Sequence, residues 1–280
     1  MKSGQLSIDD ANGRVLAHPL RLPEGTFSKG HVLKDCDLAR LKQAELRHVT
    51  DARMNTDDVG EDQAAWMLGQ SIATEDIKPI VAIVLLAAGM ATRMGPNGGH
   101  KLLAEFDGMP LVRRSALAAS NSHAESVIVV VGHRQDDIRK ALSDLQLNIV
   151  ANRDYASGMA SSLVIGFASA EANGADGVLV MLADMPGVTS SDLNRLITAF
   201  QDGKGASIVR AVSQGKRGNP VILPRSLNNA VLRLKGDIGA RYLIKASGLP
   251  VIEVEIGDAA QIDVDTPEAI IAAGGIPAES

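Results

Sequence analysis

A chain of 280 residues with 45% hydrophobic content is long enough to bury a sizeable core, as one large domain with a small one attached or as two domains. Its net charge of −5 and pI near 5.7 exclude a general nucleic-acid surface, which would need a basic face. The lone Cys36 excludes an internal disulfide and fits a reducing compartment, and six scattered histidines without zinc-ligand spacing argue against a structural zinc site.

In chain order, residues 1–78 are polar, with short apolar islands and turn formers such as Leu22-Pro23-Glu24-Gly25, which predicts a small separate unit. The opening MKSGQLSIDD has no apolar signal-peptide core, and the longest apolar run, 80–91, is too short to span a bilayer. The expected location is therefore the cytoplasm, with no membrane partner. Asp37 is expected to cap a helix running to Ala44, residues 48–52 to form a short strand, and residues 61–72 a helix with Trp66 and Met67 available for burial. Asp57, Asp58, Glu61 and Asp62 read as a solvated helix start, with a metal site as the alternative. Residues 74–78 are the expected linker.

From residue 79 the pattern becomes strand, loop, helix, repeated, which predicts an α/β domain with a mostly parallel sheet covered on both faces. Residues 81–86 are aliphatic without a polar face, as a central strand requires. Pro110 opens a helix through Ser120; strands follow at 126–131, 148–151 and 177–182, with helices at 134–145 and 161–171. Thr189 caps a helix through Phe200, and 206–212 with 220–223 make a strand pair about Gln214-Gly215. Helices at 225–234 and 238–247, a strand at 251–256 and a last helix opened by Thr266-Pro267-Glu268 complete the chain.

Ligands of such sheets collect at the carboxyl ends of the strands, so the residues just beyond each strand are the candidates. Ala87, Ala88 and Gly89 leave the backbone N–H groups open to a polyanion, with Arg93 and Lys101 as nearby cations; an ordinary strand-to-helix turn is the rival reading. Gly158 followed by Ser161 and Ser162 either caps a helix or meets the edge of a base. Asp184, two residues past an apolar strand, suits Mg²⁺ coordination or a turn. Asp263 and Asp265 alternate onto one face, where one binds metal while the other caps the last helix.

A phosphate loop, cations and separated carboxylates are the parts that phosphoryl or nucleotidyl transfer requires. The loop is not a P-loop, because Gly89 and Gly95 stand too far apart and Leu follows Lys101. Neither G-x-G-x-x-G nor G-x-S-x-G occurs in place, which argues against a dehydrogenase and a serine hydrolase.

Leu86-Ala87-Ala88-Gly89, Arg93-Met94-Gly95 and Lys101-Leu102-Leu103 together resemble the signature of the nucleotidyltransferase superfamily. With Gly158-Met159-Ala160-Ser161-Ser162-Leu163, Leu182-Ala183-Asp184-Met185-Pro186, Arg217-Gly218-Asn219-Pro220 and Asp263-Val264-Asp265-Thr266-Pro267, residues 79–275 resemble the molybdenum cofactor cytidylyltransferase branch. The resemblance implies a three-layer Rossmann-like nucleotidyltransferase fold over 79–280. It also implies Mg²⁺-dependent transfer of CMP from CTP to the terminal phosphate of the molybdopterin cofactor, releasing pyrophosphate. Arg93, Lys101 and Asp184 would be catalytic. Leu86, Ala87, Ala88, Gly89, Arg93, Lys101, Gly158, Ser161, Ser162 and Asp184 would bind nucleotide, Asn219 the acceptor, and Asp184 and Asp263 the metal.

The sequence departs from the branch at Asn219, where His is more usual, at Ala183-Asp184-Met185 in place of Gly-Asp-Gln, and by an extra Gly98-Gly99-His100 before Lys101. Within residues 1–78, Ala17-His18-Pro19-Leu20-Arg21-Leu22-Pro23 and Asp58-Val59-Gly60-Glu61-Asp62 resemble the opening of a molybdopterin-binding domain, of which most is missing. The implied partners are nucleotide, molybdopterin cofactor and a molybdoenzyme receiving the product. Guanylyl transfer, transfer to a sugar phosphate, a non-catalytic cofactor carrier and a redox enzyme on the same fold are the competing functions.

Overall fold

The structure is a computed structural model that describes residues 2–22, 25–29, 31–53, 78–95, 99–236 and 240–278. The chain divides into two units, Met1–Ile77 and Lys78–Ser280. The expected helix at 61–72, the acidic cluster at 57–62 and the linker up to residue 77 lie outside the described residues.

In the first unit, β1 (Lys2–Ser7) pairs antiparallel with β4 (His48–Arg53), and β2 (Leu20–Leu22) with β3 (Gly25–Phe27). Helix α1 (Asp35–Gln43) contributes Leu38 and Leu41 to a small core with Ile8, Leu16, Phe27, Leu33 and Val49. The helix starts three residues earlier than its sequence suggests, with Lys34 at the N-cap position, so Asp37 is not its cap. The Asp37 carboxylate instead reaches back from inside the first turn, accepting from the Lys34 N–H at 3.1 Å and bonding His31 Nε2 at 2.9 Å.

The second unit is built on a seven-stranded sheet in the order β13-β11-β12-β10-β5-β8-β9. Its strands are β5 (Val81–Ala87), β8 (Ser126–Val131), β9 (Asn148–Ala151), β10 (Gly177–Leu182), β11 (Ile208–Ser213), β12 (Lys216–Pro224) and β13 (Val251–Glu255). All run parallel except β12, which is antiparallel to both neighbours. That reversal follows from the tight turn at Gln214 and Gly215, both at positive φ, which returns the chain directly beside β11. A small hairpin of β6 (Glu105–Phe106) and β7 (Met109–Pro110), turning on Asp107-Gly108, precedes the first helix of this unit.

Side chains alternate along β5 as two buried faces require: Val81, Ile83, Leu85 and Ala87 face one helical layer, Ala82 and Val84 the other. The first layer holds α2 (Leu111–Ser120), α3 (Gln135–Ala141) and α5 (Ser190–Asp202); the second holds α4 (Met159–Ala172), α6 (Asn228–Val231) and α7 (Ala240–Ser247). Helix α5 opens with the capping box of Thr189 and Asp192. The last helix, α8 (Pro267–Ala272), is capped by Thr266 Oγ1 accepting from the Ala269 N–H at 3.2 Å. Neither Asp263 nor Asp265 caps it, contrary to expectation, because the threonine occupies that position. The expected helix at 134–145 stops at Ala141, and that at 225–234 is a 3₁₀ turn, Arg225–Leu227, followed by the single turn of α6. Helices thus cover both faces of the mostly parallel sheet, the three-layer α/β arrangement expected from the sequence. Among the described residues no helix is long and apolar enough to cross a membrane.

Candidate active site

The carboxyl ends of β5 and β10 open onto a cleft of about 540 Å³. Its floor begins where β5 runs out into Ala88 and Gly89, whose small side chains leave the backbone facing the cleft. His100, 2% exposed, clamps this loop, with Nε2 3.1 Å from the Gly89 carbonyl oxygen. A carbonyl only accepts, so Nε2 carries the proton and Nδ1 does not. Burial, with the cations nearby, pushes the His100 imidazole down to about 4. The His133 ring stacks on it at 5.6 Å, and the His133 backbone N–H donates to the Ala88 carbonyl at 3.2 Å. The extra Gly98-Gly99-His100 therefore includes a packed anchor. A Cβ at Gly99 would lie 2.2 Å from the Ala278 carbonyl oxygen, so only glycine passes that close to the C-terminal segment.

The opposite wall is the entry to α4. Asn152, just past β9 and 2% exposed, donates from Nδ2 to Ser161 Oγ at 2.8 Å and Ser162 Oγ at 2.9 Å, while its Oδ1 accepts from the Asp154 N–H. Ser161 also donates to the chain just before α4, so its hydroxyl is committed to the helix entry. Ser162 and Gly158 line the cleft, and Met90 and Met159 expose thioether side chains at its walls.

At the β10 end the charges gather. Asp184, Asp263 and Asp265 offer oxygens that all lie within 4.8 Å of one another. Val264, fully buried between the two later acids, donates its N–H to the Asp184 carbonyl at 3.0 Å. This pins the 263–265 segment to the β10 exit, and the alternation of an extended chain turns both flanking acids the same way. Lys101 Nζ lies 2.5 Å from Asp184 Oδ2 and 2.5 Å from Asp265 Oδ1, and Arg93 pairs with Asp265 from the outside.

Burial alone would lower the Lys101 ammonium, but the Asp184 and Asp265 carboxylates hold it above its ordinary value. Burial and the two neighbouring acids raise the Asp184 carboxyl against the pull of Lys101. Burial also pushes Asp265 up, and Lys101 and Arg93 more than offset it, so Asp265 lies below the usual range. Three carboxylates face two cations here, and the buried Asp184 Oδ1 has no hydrogen-bond partner. Hard oxygen donors with an excess negative charge and an orphaned acceptor fit an oxygen-ligated divalent cation.

Of the residues singled out in the sequence, Leu86, Ala88, Gly89, Lys101, Gly158, Ser162 and Asp184 line the cleft. The Ala87 side chain is turned into the core, and Ser161 and Arg93 meet their own partners rather than the cleft. Asn219 and Asp263 line an adjoining recess of about 240 Å³, with Leu182 common to both spaces. Asn219 comes to this edge because β12 runs backwards, so its first residues stand where the parallel strands end. Sequence reasoning missed the His100 clamp and the Asn152 amide. The signal for Asn152 was a short polar residue directly after a strand and nine residues before a hydroxyl pair.

The chain is similar in sequence and in fold to several known proteins. Nicotine blue oxidoreductase of Paenarthrobacter nicotinovorans is 31% identical over 196 residues, covering 68% of this chain and 94% of that protein. Purine catabolism protein PucB of Bacillus subtilis (strain 168) is 30% identical over 199 residues, with the same two coverages, 68% and 94%. The crystal structure of Rv0371c from Mycobacterium tuberculosis H37Rv superposes with a TM-score of 0.61 at 25% identity, over 69% of this chain and 97% of that one. Residues 5–53 match a domain of unknown function, DUF8806, which carries no pterin assignment. Residues 83–251, which hold the glycine loop, Lys101, Asp184 and Asn219, match the MobA-like NTP transferase domain, and the chain belongs to that nucleotidyltransferase family.

Proposed function

We infer that the protein transfers CMP from CTP to the terminal phosphate of molybdenum cofactor, releasing pyrophosphate, with Mg²⁺ as the metal and a molybdoenzyme as the recipient of the product. One observation carries the transferase reading: Asp184, Asp263 and Asp265 converge at the end of a cleft that otherwise offers backbone, hydroxyls and Lys101. The choice of CTP and of the pterin acceptor rests on the five linked sequence motifs.

Asp184 and Asp263, with Asp265 beside them, would hold Mg²⁺, which when bound neutralises charge growing on the phosphate oxygens. The chain's own groups do the rest. The Ala88–Gly89 backbone, held by His100, receives the triphosphate without a side chain in the way. Lys101, kept fully charged by its acidic neighbours, adds a fixed cation at the same end. A terminal phosphate oxygen of the acceptor attacks the α-phosphorus; the bond to the bridging oxygen breaks, and pyrophosphate leaves with the electron pair. An ionised phosphate has no proton to surrender, so the site needs no general base, and His100 is neutral and occupied elsewhere.

The test is incubation of the full chain with CTP, Mg²⁺ and molybdenum cofactor, measuring pyrophosphate. Release with CTP supports the reading; no release with either CTP or GTP overturns it. Release with GTP or a sugar phosphate moves the chain to those transfers, and tight cofactor binding without release in any nucleotide makes it a carrier. The nicotine blue oxidoreductase relative favours a redox reading as the second choice. Oxidation of reduced nicotinamide with a dye substrate would establish it.

A further inference from the structure

Beside the reacting edge, β11, β12 and α7 enclose another recess, of about 200 Å³, lined by Arg210, Arg217, Arg241 and Asn219. Arg210 is out of place by packing logic. It stands on an inner strand opposite Val221, on the sheet face that Ile208 and Val221 give to the apolar core, and its side chain is only 11% exposed. Glu253 meets its Nη2 at 2.5 Å, yet its Nε is buried without a partner. Neither Arg217 nor Arg241 has a carboxylate partner among the described residues. Among the described residues, three guanidinium groups therefore line the recess and only Arg210 has a carboxylate partner, Glu253, while Arg217 and Arg241 stand exposed at its rim.

Guanidinium groups in such a setting are suited to an oxyanion, which they meet with two parallel N–H donors. Arg217, Gly218 and Asn219 also line the recess that contains Asp263, so the two spaces adjoin across the first residues of β12. A Cβ on Gly218 would lie 2.1 Å from the Ala260 carbonyl oxygen, which holds this strand start tightly between them. A molecule presenting one phosphate at the acidic end has a second, basic end within the same stretch of surface.

We propose that the Arg210–Arg217–Arg241 recess binds an oxyanion group of the acceptor substrate, away from its reacting phosphate. The assignment of that oxyanion to an acceptor rests on the nucleotidyl-transfer reading; the site itself does not. The probe is inorganic phosphate, titrated calorimetrically into the full chain without nucleotide or metal. Saturable binding is expected to weaken about tenfold or more in Arg241→Gln and in Arg210→Gln, the loss of one charged hydrogen-bonding partner, and to survive Lys101→Gln, which removes the cation of the nucleotide cleft. Arg241 is exposed on α7, so its variant carries the test if Arg210→Gln fails to fold. Absence of saturable binding, affinity unchanged in Arg241→Gln, or binding abolished by Lys101→Gln overturns the proposal. In turnover, phosphate competitive with the acceptor and not with CTP supports the assignment to the acceptor; phosphate that leaves acceptor KM unchanged overturns it in favour of a free oxyanion. Calorimetry needs no turnover, so failure of the proposed reaction and failure of the recess are read separately.

Discussion

On the side of β5 and the α4 entry, the site presents backbone, glycine and hydroxyls already bonded within the chain, with Lys101 as its cation; on the side of β10 and residues 263–265 it presents three clustered carboxylates. On the first wall the Ser161 and Ser162 hydroxyls and the Gly89 carbonyl are bonded before any ligand arrives, which fixes its shape, although Nδ1 of His100 and of His133 is buried without a partner. The second wall is under electrostatic tension: like charges crowd together, one of them half-buried, and Lys101 and Arg93 relieve only part of the repulsion. Under the proposed function, recognition would belong to the hydroxyl-lined wall and charge neutralisation to the acidic one.

The largest effect should come from the strained wall. Asp184→Ala should lower kcat by roughly 10³-fold or more in a pyrophosphate-release assay, the size expected when a key electrostatic group is lost. Its thermal midpoint should hold, because the backbone carbonyl that receives the Val264 N–H is untouched. Near-normal turnover in this variant would remove Asp184 from the metal assignment. Lys101→Ala should cost about 10- to 150-fold in kcat/KM for CTP, corresponding to roughly 1.5–3 kcal/mol for a charged contact. Wild-type nucleotide kinetics would show that Lys101 serves the acids alone.

The two walls should also answer differently to denaturant. Asn152→Ala strips the partner from two hydroxyls at the α4 entry and should destabilise the fold by roughly 1–3 kcal/mol in urea. Asp263→Asn, at an exposed acid, should stay within about 0.5 kcal/mol. Equal losses in both would break the distinction between a built wall and a charged one. A last contrast concerns His100, whose effect is confined to acid pH. Its folded pKa of about 4 lies below the unfolded value of about 6.5, so between these the unfolded chain binds a proton that the folded chain does not. Its contribution to stability therefore falls as pH drops from about 6.5 to about 4. His100→Gln should flatten that part of the stability–pH curve, and an unchanged slope would mean the imidazole protonates freely in the fold.

Much of the architecture is readable in the sequence because the inner strands are buried on both faces. Strands β8, β9 and β10 begin and end where the aliphatic runs at 126–131, 148–151 and 177–182 do. Short elements are not so readable: two residues each in β6 and β7 carry no periodicity, although Asp107-Gly108 marks the turn between them. In the first unit β1 is polar and contains Gly4, and its pairing with β4 spans some forty residues of chain, so nothing local announces it. At the site, Lys101 and Asp184 each stand out locally, but their contact joins residues 83 positions apart, and that to Asp265 spans 164. His100 reads as part of an insertion because only the folded chain brings the Gly89 carbonyl to its ring.

The reversed strand β12 gives the sheet a seam. The groups proposed to handle the triphosphate hang from strands ending at the reacting edge, whereas Arg217 and Asn219 stand on a strand that starts there, reached through the exposed turn Gln214-Gly215. On the proposed reading, changes in that hairpin would re-tailor what the cleft's second occupant must look like while leaving the parallel half intact. One scaffold can thereby keep its nucleotide and exchange its customer.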